Sequence, residues 1–548
     1  MQFVVSGWRY NVLVFVRIKR GGNKKHPHDY LQVVESYRDR GQPKHRVIAN
    51  LGRLDQLTAD GQLDRLVQSL ARFSQNLRVL SAAQAPRVQS CRSRLWGPPL
   101  VFARLWQRQG LPEILGQLAE GRQFQFDLEG VVFALALQRL CQPGSDLFGS
   151  HWVRTVEVPS FEHIELQHLY RTVQWLAEQR ERLEKALFDR DRDLFGQELD
   201  LLFVDTTSLY VYRETETDLR KRGYSRERRP DLPQMVLCVA VDRQGWPVAW
   251  ELFPGNTADT QALVKMVTAL RSRLKVRRVI IVADRGMISQ KILDFLSDDR
   301  EAPFDYIVGC RMRKQKEVSE EVLSRAGRFH KVAGNLEVKV VVVDERRYIV
   351  CRNPEEARKD AAARRVLLEK LEQTLARGPK AVIGNRGFAR FLRVQKAAVE
   401  IDSEAVKADA RLDGKFVLKT STQLSAEEVA QSYKSLWRVE RTFREEKSTL
   451  EVRPIFHQRD DTTVGHIVPC FLALRLEVDL QRRLEAKKVQ VSWLNLMHEL
   501  SQVRSVRLDL DGQRWLIRTD LEGAAHTAFA AAGLRPPPRI TPLEETRV

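Results

Sequence analysis

The spacing of apolar residues changes period several times along the chain, and each change marks an element. From Pro98 to about residue 195 apolar positions recur every three or four residues, as in Leu128-Glu-Gly-Val-Val-Phe-Ala-Leu-Ala-Leu-Gln-Arg-Leu140 and Tyr170-Arg-Thr-Val-Gln-Trp175-Leu. That period predicts helices, and Gln142-Pro-Gly-Ser145 separates two of them. From about Leu199 the pattern shortens to β-branched runs bounded by polar and Gly residues: Leu199–Val204, Met235–Val241, Val248–Phe253, Val279–Ala283 and Phe304–Cys310. Such runs read as buried strands. With a helix from Ala262 to about Leu274, the predicted order is three antiparallel strands, a helix, then the Val279 strand. Further strands are predicted at Leu336–Val343, Arg347–Cys351, Phe391–Val394 and Gly414–Thr420, with a long helix from about Pro354 to Ala376.

The two ends read differently. Tyr30–Tyr37 and His45–Ala49 alternate around Arg38-Asp-Arg-Gly41-Gln-Pro43, which predicts a β-hairpin with a basic tip. The tip could lie in a DNA groove or form a solvated edge. Residues 60–90 predict a helix and a polar linker, a further helix lies near Gly465–Glu485, and Arg535-Pro-Pro-Pro-Arg539 reads as an extended tail.

Three acids stand out against this pattern. The Leu199 run ends on Asp205-Thr-Thr-Ser, and the Val279 run ends on Asp284-Arg-Gly286. An aspartate at the end of a buried strand leaves the core for the edge where α/β sheets build their sites. Each aspartate alone reads more readily as a turn or cap residue. The third acid is Glu440, within Tyr433-Lys-Ser-Leu-Trp437-Arg-Val-Glu440-Arg-Thr-Phe443-Arg444-Glu-Glu-Lys447. On one continuous helix, Tyr433, Glu440, Arg444 and Lys447 would share a face, an acid flanked by an aromatic donor and two cations. A solvated helix with mixed charges is the plainer reading of that stripe. Three carboxylates could hold two Mg²⁺ ions, and two metals suit in-line phosphoryl transfer. After Asp205, a charged turn carries Arg220-Lys-Arg-Gly-Tyr-Ser-Arg226 and Arg228-Arg-Pro230, which could steer phosphate or simply be solvated.

Composition narrows the partners. The 548 residues carry a formal net charge of +19, with basic residues spread along the chain. A polyanionic partner follows, and nucleic acid is the economical one because neutralising phosphates releases counterions. No stretch is long and apolar enough to span a membrane, and the first residues lack a signal-peptide pattern, so a cytoplasmic location is expected. The six cysteines form no Cys-x-x-Cys pair, no short Cys/His cluster reads as a zinc site, and Cys238 and Cys310 read as buried thiols.

Taken together, Asp205, Asp284 and Glu440 resemble the Asp-Asp-Glu triad of DNA transposases with a ribonuclease-H-like core. The helix resembles the Tyr-Arg-Glu-Lys signature of bacterial insertion-sequence transposases of the IS-four group, with Tyr433, Glu440 and Lys447 matching and Leu436 standing at the Arg position. Trp437, Val439 and Phe443, with Asp284-Arg-Gly-Met287, Gly245-Trp-Pro247, Pro254-Gly-Asn256 and Asp259, resemble the branch named after IS sixteen-thirty-four. Asn256 and Asp259 also read as an ordinary turn and stay outside the catalytic set.

The resemblance implies an α/β fold: a ribonuclease-H-like mixed-sheet catalytic core with a β-rich insertion, preceded by a β-hairpin and a helical module. The expected boundaries are an N-terminal DNA-contact module at 1–90, a helical module at 91–195, the core at 196–311 and 425–505, the insertion at 312–424 and a tail at 506–548. It implies a DNA transposase in which Asp205, Asp284 and Glu440 bind Mg²⁺, with Mn²⁺ as a substitute, and Tyr433, Arg444 and Lys447 contact DNA. The implied partners are double-stranded DNA, as terminal inverted repeats and target, and a second copy in a synaptic homodimer, with no membrane; hairpin chemistry at the ends and a nucleoid-associated bacterial setting follow from the same likeness. A nuclease without strand transfer, or a non-catalytic DNA-binding relic, are the alternatives.

Overall fold

The computed structural model describes residues 13–23, 26–39, 42–59, 61–71, 88–195, 201–212, 215–225, 229–276, 279–297, 304–332, 334–378, 387–395, 398–440, 455–510 and 513–543, with 382 and 452. The chain divides into two units, residues 1–93 with 505–519 and 537–548, and residues 94–504 with 520–536.

The first unit opens on an antiparallel sheet of β1 (Leu13–Asn23), β2 (His26–Asp39) and β3 (Gln42–Arg53). The predicted hairpin is the β2–β3 pair, with Ser36 opposite His45 and Asp39 opposite Gln42, and β1 widens it. Residues 40 and 41 at its tip lie outside the described residues. A second sheet has the order β18-β17-β16-β4, from β4 (Val88–Leu95), β16 (Arg504–Leu510), β17 (Gln513–Arg518) and β18 (Ile540–Leu543). The expected tail at 506–548 thus carries β17 and β18, and its Pro-rich stretch, expected as extended, leads into β18, which pairs with β17 from Ile517↔Ile540 to Arg514↔Leu543.

The second unit begins with the predicted helices. Asp127 caps the Leu128–Cys141 helix by accepting from the Gly130 amide, and Ser145 caps Asp146–Trp152 by accepting from Phe148. The Leu128–Cys141 helix is buried nearly all round because the Leu166–Phe195 and Asp460–Ala486 helices pack against it. Where the last two cross, a Cβ on Gly465 would collide with the Val173 carbonyl, so only glycine permits that approach. Pro469 lies inside the same helix and removes the amide that would bond Gly465. Among the described residues no helix is long and apolar enough to cross a membrane.

A nine-stranded mixed sheet follows, in the order β10-β11-β12-β15-β9-β8-β5-β6-β7. Its first strands are β5 (Leu201–Tyr210), β6 (Gln234–Asp242), β7 (Pro247–Pro254), β8 (Ile280–Ala283) and β9 (Asp305–Gly309). β5, β6 and β7 are antiparallel neighbours, as read from the sequence, and β8 runs parallel to β5 and β9. Further along lie β10 (His330–Lys331), β11 (Glu337–Val343), β12 (Arg346–Arg352), the separate pair β13 (Leu392–Gln395) and β14 (Ala398–Ile401), and β15 (Lys415–Thr420). β15 pairs with both β9 and β12, so most strands between Asp284 and Glu440 extend this one sheet.

Both faces of the central strands are covered, which is why they read as continuous apolar runs. Leu202, Val204, Ile281 and Ala283 pack beneath the Asp259–Ser272 helix with Leu263, Met266 and Leu270. Leu201, Phe203, Val282 and Ile307 belong to the opposite core, shared with the helical bundle.

A buried charge network ties the bundle to this sheet. Arg180 bonds Glu184 at 3.2 Å and Glu251 at 2.6 Å, and Arg273 bonds Glu184 at 2.7 Å and Glu251 at 2.8 Å. Burial pushes the Glu184 carboxyl up to about 7, against the pull of Arg180 and Arg273. Because the folded carboxyl then holds its proton to higher pH than the unfolded one, its contribution to stability is complete below about 4.5 and is lost as pH rises towards 7. Glu184→Gln is expected to flatten that part of the profile of Tm against pH, measured by calorimetry from pH 4 to 8 beside the unmodified protein. Parallel profiles for the two proteins would refute it.

Candidate functional site

Asp205 is not the last residue of its strand, as the sequence pattern predicted. β5 runs on to Tyr210, held there by β6 through pairs such as Thr207↔Leu237 and Tyr210↔Gln234. Its parallel neighbour β8 stops earlier, with Val204↔Ala283 as the last pair. The edge at Asp205 is therefore made by the end of the neighbouring strand, which periodicity within β5 cannot reveal. Asp284 is the residue directly after β8, so the two aspartates follow a paired position on adjacent strands, whose axes lie roughly 4.8 Å apart.

Strand alternation fixes which face each residue uses. Leu201 and Phe203 face the bundle-side core, so Asp205 continues that face, while Thr206 turns to the other. Asp205 Oδ1 accepts from the Thr206 amide at 2.7 Å, and the Thr206 hydroxyl donates to Asp259 Oδ1 at 2.7 Å. Asp259 begins the Asp259–Ser272 helix, and a Cβ built on Gly286 would stand 4.0 Å from its Oδ2. Asp259, set aside in the sequence reading, is thus a neighbour of both strand ends. Its signal was its place after Pro254-Gly-Asn256 at a helix start, where a carboxylate is favoured.

On the bundle-side face the Ala426–Lys434 helix meets Asp284. A capping box starts this helix: Ser425 accepts from the Glu428 amide, and the Glu428 side chain accepts from the Ser425 amide. At its end the Tyr433 hydroxyl donates to Asp284 Oδ1 at 3.0 Å, over Gly309, where a Cβ would strike that hydroxyl. Burial first, then the Asp284 charge, drives the Tyr433 phenol far above its ordinary value, which favours its neutral, donating form. Arg285 adds positive charge beside this hydroxyl, and Arg311 donates to the Gly286 carbonyl at 3.4 Å.

The single helix expected from Tyr433 to Lys447 is not continuous. Ala426–Lys434 ends in a turn at Ser435 and Leu436, and helix resumes over 437–440. The Ser435 hydroxyl donates to the Gln431 carbonyl at 3.1 Å, and the Leu436 amide bonds back to Tyr433 at 3.1 Å, tightening the turn. The break lies between Tyr433, held at Asp284, and Val439, fully buried in the bundle-side core. The shared-face arithmetic therefore does not extend across 433–440. Glu440 is exposed, and among the described residues no hydrogen bond or ion pair joins it to Asp205 or Asp284. Arg444 and Lys447 lie outside the described residues. Leu436 packs against the bundle-side core, a position that suits Leu and not the Arg of the signature. Arg438 stacks on Trp437, with its guanidinium carbon 5.2 Å from the ring centre.

The charged turn after β5 is also only partly a solvated loop. Arg220 is 2% exposed and donates to the His457 carbonyl at 2.8 Å and the Thr463 hydroxyl at 2.5 Å. Asp460 accepts from the Thr217 hydroxyl at 2.6 Å and the Leu219 amide at 3.1 Å. Arg220 thus clamps the turn to the start of the Asp460–Ala486 helix. Arg226 and Arg228 lie outside the described residues.

Comparison with known proteins adds an independent line. The model of the IS1634 family transposase N-terminal domain matches residues 16–84. That of the transposase DDE domain matches residues 196–476, more than half of the chain and the whole of the site described above. No curated protein matches. The chain belongs to the DDE transposases, in the IS1634 branch.

Proposed function

We propose that this transposase cuts the ends of an insertion sequence and joins them to target DNA, with Asp205, Asp284 and Glu440 as its metal-binding carboxylates. The observation that carries this reading is the β5–β8 register: it brings Asp205 and Asp284 out side by side where their shared core ends. The antiparallel β5–β6–β7 ribbon with β8 and β9 parallel to β5 supports a ribonuclease-H-like core. The donor set is all carboxylate oxygen, which fits a hard divalent ion such as Mg²⁺, with Mn²⁺ as a substitute. Two such ions would supply Lewis acidity at the attacking and leaving oxygens of the phosphodiester.

The chain's own residues do the rest. The Thr206 amide fixes the Asp205 carboxylate, and the Tyr433 hydroxyl fixes that of Asp284. Arg285 and Arg311, with Arg444 and Lys447 further along the chain, bring positive charge to a scissile phosphate held in line for attack. Glu440 sits six residues beyond the end of the helix that carries Tyr433, and completing the triad would require the 435–440 segment to bring it to the two aspartates on DNA binding. The net charge of +19 supports binding of double-stranded element ends and target. A homodimer would pair two ends, in the bacterial cytoplasm at the nucleoid.

The test uses the full chain, a labelled duplex carrying the element's own end, and a supercoiled target, with Mg²⁺ or a chelator. Metal-dependent cleavage followed by joining is the expected result. Cleavage without joining would convert the reading to a nuclease, and binding without cleavage in Mg²⁺ or Mn²⁺ to a DNA-binding relic.

A further inference from the structure

Away from the proposed triad, Asp146, His457 and His466 come together from three parts of the chain that sequence spacing does not connect. Each offers a ligand atom, and these atoms all lie within 4.8 Å of one another. Asp146 is the first residue of the Asp146–Trp152 helix, and His466 lies in the second turn of Asp460–Ala486. His457 belongs to the segment between Glu440 and that last helix.

The pair of Asp146 and His457 is poorly explained as an ordinary contact. His457 Nε2 stands 3.5 Å from Asp146 Oδ2, too far for a hydrogen bond. The Asp146 side chain is only 2% exposed, and its Oδ2 is buried without a hydrogen-bond partner. A buried carboxylate oxygen without a hydrogen bond costs at least as much as a lost hydrogen bond. Two ligand atoms on a tetrahedral Zn²⁺, each about 2.0–2.1 Å from the ion, lie roughly 3.3 Å apart, close to the separation seen here.

One ring nitrogen of His466 is already engaged. Its Nε2 stands 3.3 Å from the Val452 carbonyl, which can only accept, so the proton sits on Nε2 and Nδ1 keeps its lone pair. A backbone carbonyl that fixes the tautomer of a ligating histidine is a recurrent feature of metal sites. A cavity of about 220 Å³ opens on Asp146, His457 and His466, with Tyr170 and Phe456 in its wall. It leaves room for water at a fourth position. Two guanidiniums stand nearby and oppose a cation, but each is committed: Arg139 to the Gly144 carbonyl at 2.8 Å, and Arg220 to the 457–463 segment.

We propose that Asp146, His457 and His466 form a structural site for a borderline divalent cation of the Zn²⁺ class, distinct from the all-carboxylate triad. Two imidazoles and one carboxylate favour Zn²⁺ over Mg²⁺. The ion fastens the segment downstream of Glu440 onto the helical bundle, where the Arg220 bonds already hold its far end.

The experiment uses the full chain stripped of metal and held in excess Mg²⁺, so that oxygen-only sites are filled. Zn²⁺ is then titrated with metal analysis and thermal melting as readouts, and Co²⁺ serves as the absorbing probe of nitrogen ligation. The expected result is one Zn²⁺ per chain, a raised Tm, and visible Co²⁺ bands. Asp146→Asn, which keeps the shape of the side chain, and His457→Ala should each weaken binding by about 10-fold or more. In chelator the Asp146→Asn protein should melt no lower than the unmodified one, which separates loss of a ligand from loss of the fold. No Zn²⁺ retained, an unchanged Tm on adding it, or undiminished affinity in both variants would each overturn the proposal. None of these readouts needs transposition, so they stand whether or not Asp205, Asp284 and Glu440 prove catalytic.

Discussion

Asp205→Asn is expected to lower metal-dependent cleavage of the element end by ~10³-fold or more, since losing a metal ligand removes about 4 kcal/mol of transition-state stabilisation. Asparagine keeps an oxygen for the Thr206 amide, so β5 and its pairing with β6 should survive. Glu440→Gln should produce a loss of similar size. Because both variants retain the basic surface, end binding in a mobility-shift assay should change by less than about twofold. Joint loss of binding and cleavage in Glu440→Gln would count against its assigned role, and undiminished cleavage in either variant would exclude that residue from the site. Tyr433→Phe provides the graded control. It removes one hydrogen bond to Asp284, about 1 kcal/mol of stability, and should slow cleavage only about tenfold. Its signature is a higher Mg²⁺ requirement with DNA affinity unchanged, which a purely structural role for the tyrosine would not give.

The second large effect concerns stability. Arg475, 1% exposed, forms two bonds to Asp191, at 3.0 and 2.9 Å, and also donates to the Pro247 carbonyl at 3.2 Å. Trp246 donates its indole N–H to Asp191 at 2.9 Å and lies beneath the Arg475 guanidinium, 4.5 Å from the ring centre. The Gly245-Trp-Pro247 stretch thereby joins the β6–β7 turn to two helices of the bundle. Asp191→Ala would leave a buried guanidinium without its counter-charge and the indole N–H without its acceptor. The expected cost is about 3–5 kcal/mol of folding free energy, the range for breaking a buried ion pair from one side. Adding Arg475→Met should restore much of this, because the desolvated charge leaves with it. Urea unfolding of both single variants and the double variant would measure the cycle. A single-variant cost below about 1 kcal/mol would show that the pair is as weak as an exposed one.

Much of this molecule was readable without coordinates. Continuous apolar runs at Met235–Val241 and Val279–Ala283 announced buried strands, and the three-or-four-residue period from Pro98 to 195 announced the bundle. These signals are local: period, turn residues and caps act within a few residues of where they are written. The order of strands and helix around Asp205 and Asp284 followed from them, whereas the choice of those two residues also drew on Glu440 and the family resemblance.

What the tertiary structure decided is everything that depends on a neighbour distant in sequence. β5 continues past Asp205 because β6 still pairs with it, while β8 ends and opens the edge. The helix through Tyr433 breaks at Ser435, between the Tyr433 hydroxyl held at Asp284 and Val439 buried in the bundle-side core. Arg220 looks like one more solvated cation among its neighbours, yet it is buried against residues some 240 positions away. Asp146, His457 and His466 carry no spacing signal at all, since their proximity exists only once the bundle has closed. The sequence by itself determined most of the elements of the core and bundle, their order along the chain near the two aspartates, and the basic charge. Only the fold decided which side chains meet, because contacts across hundreds of residues are set by packing both faces of the sheet, not by any local preference.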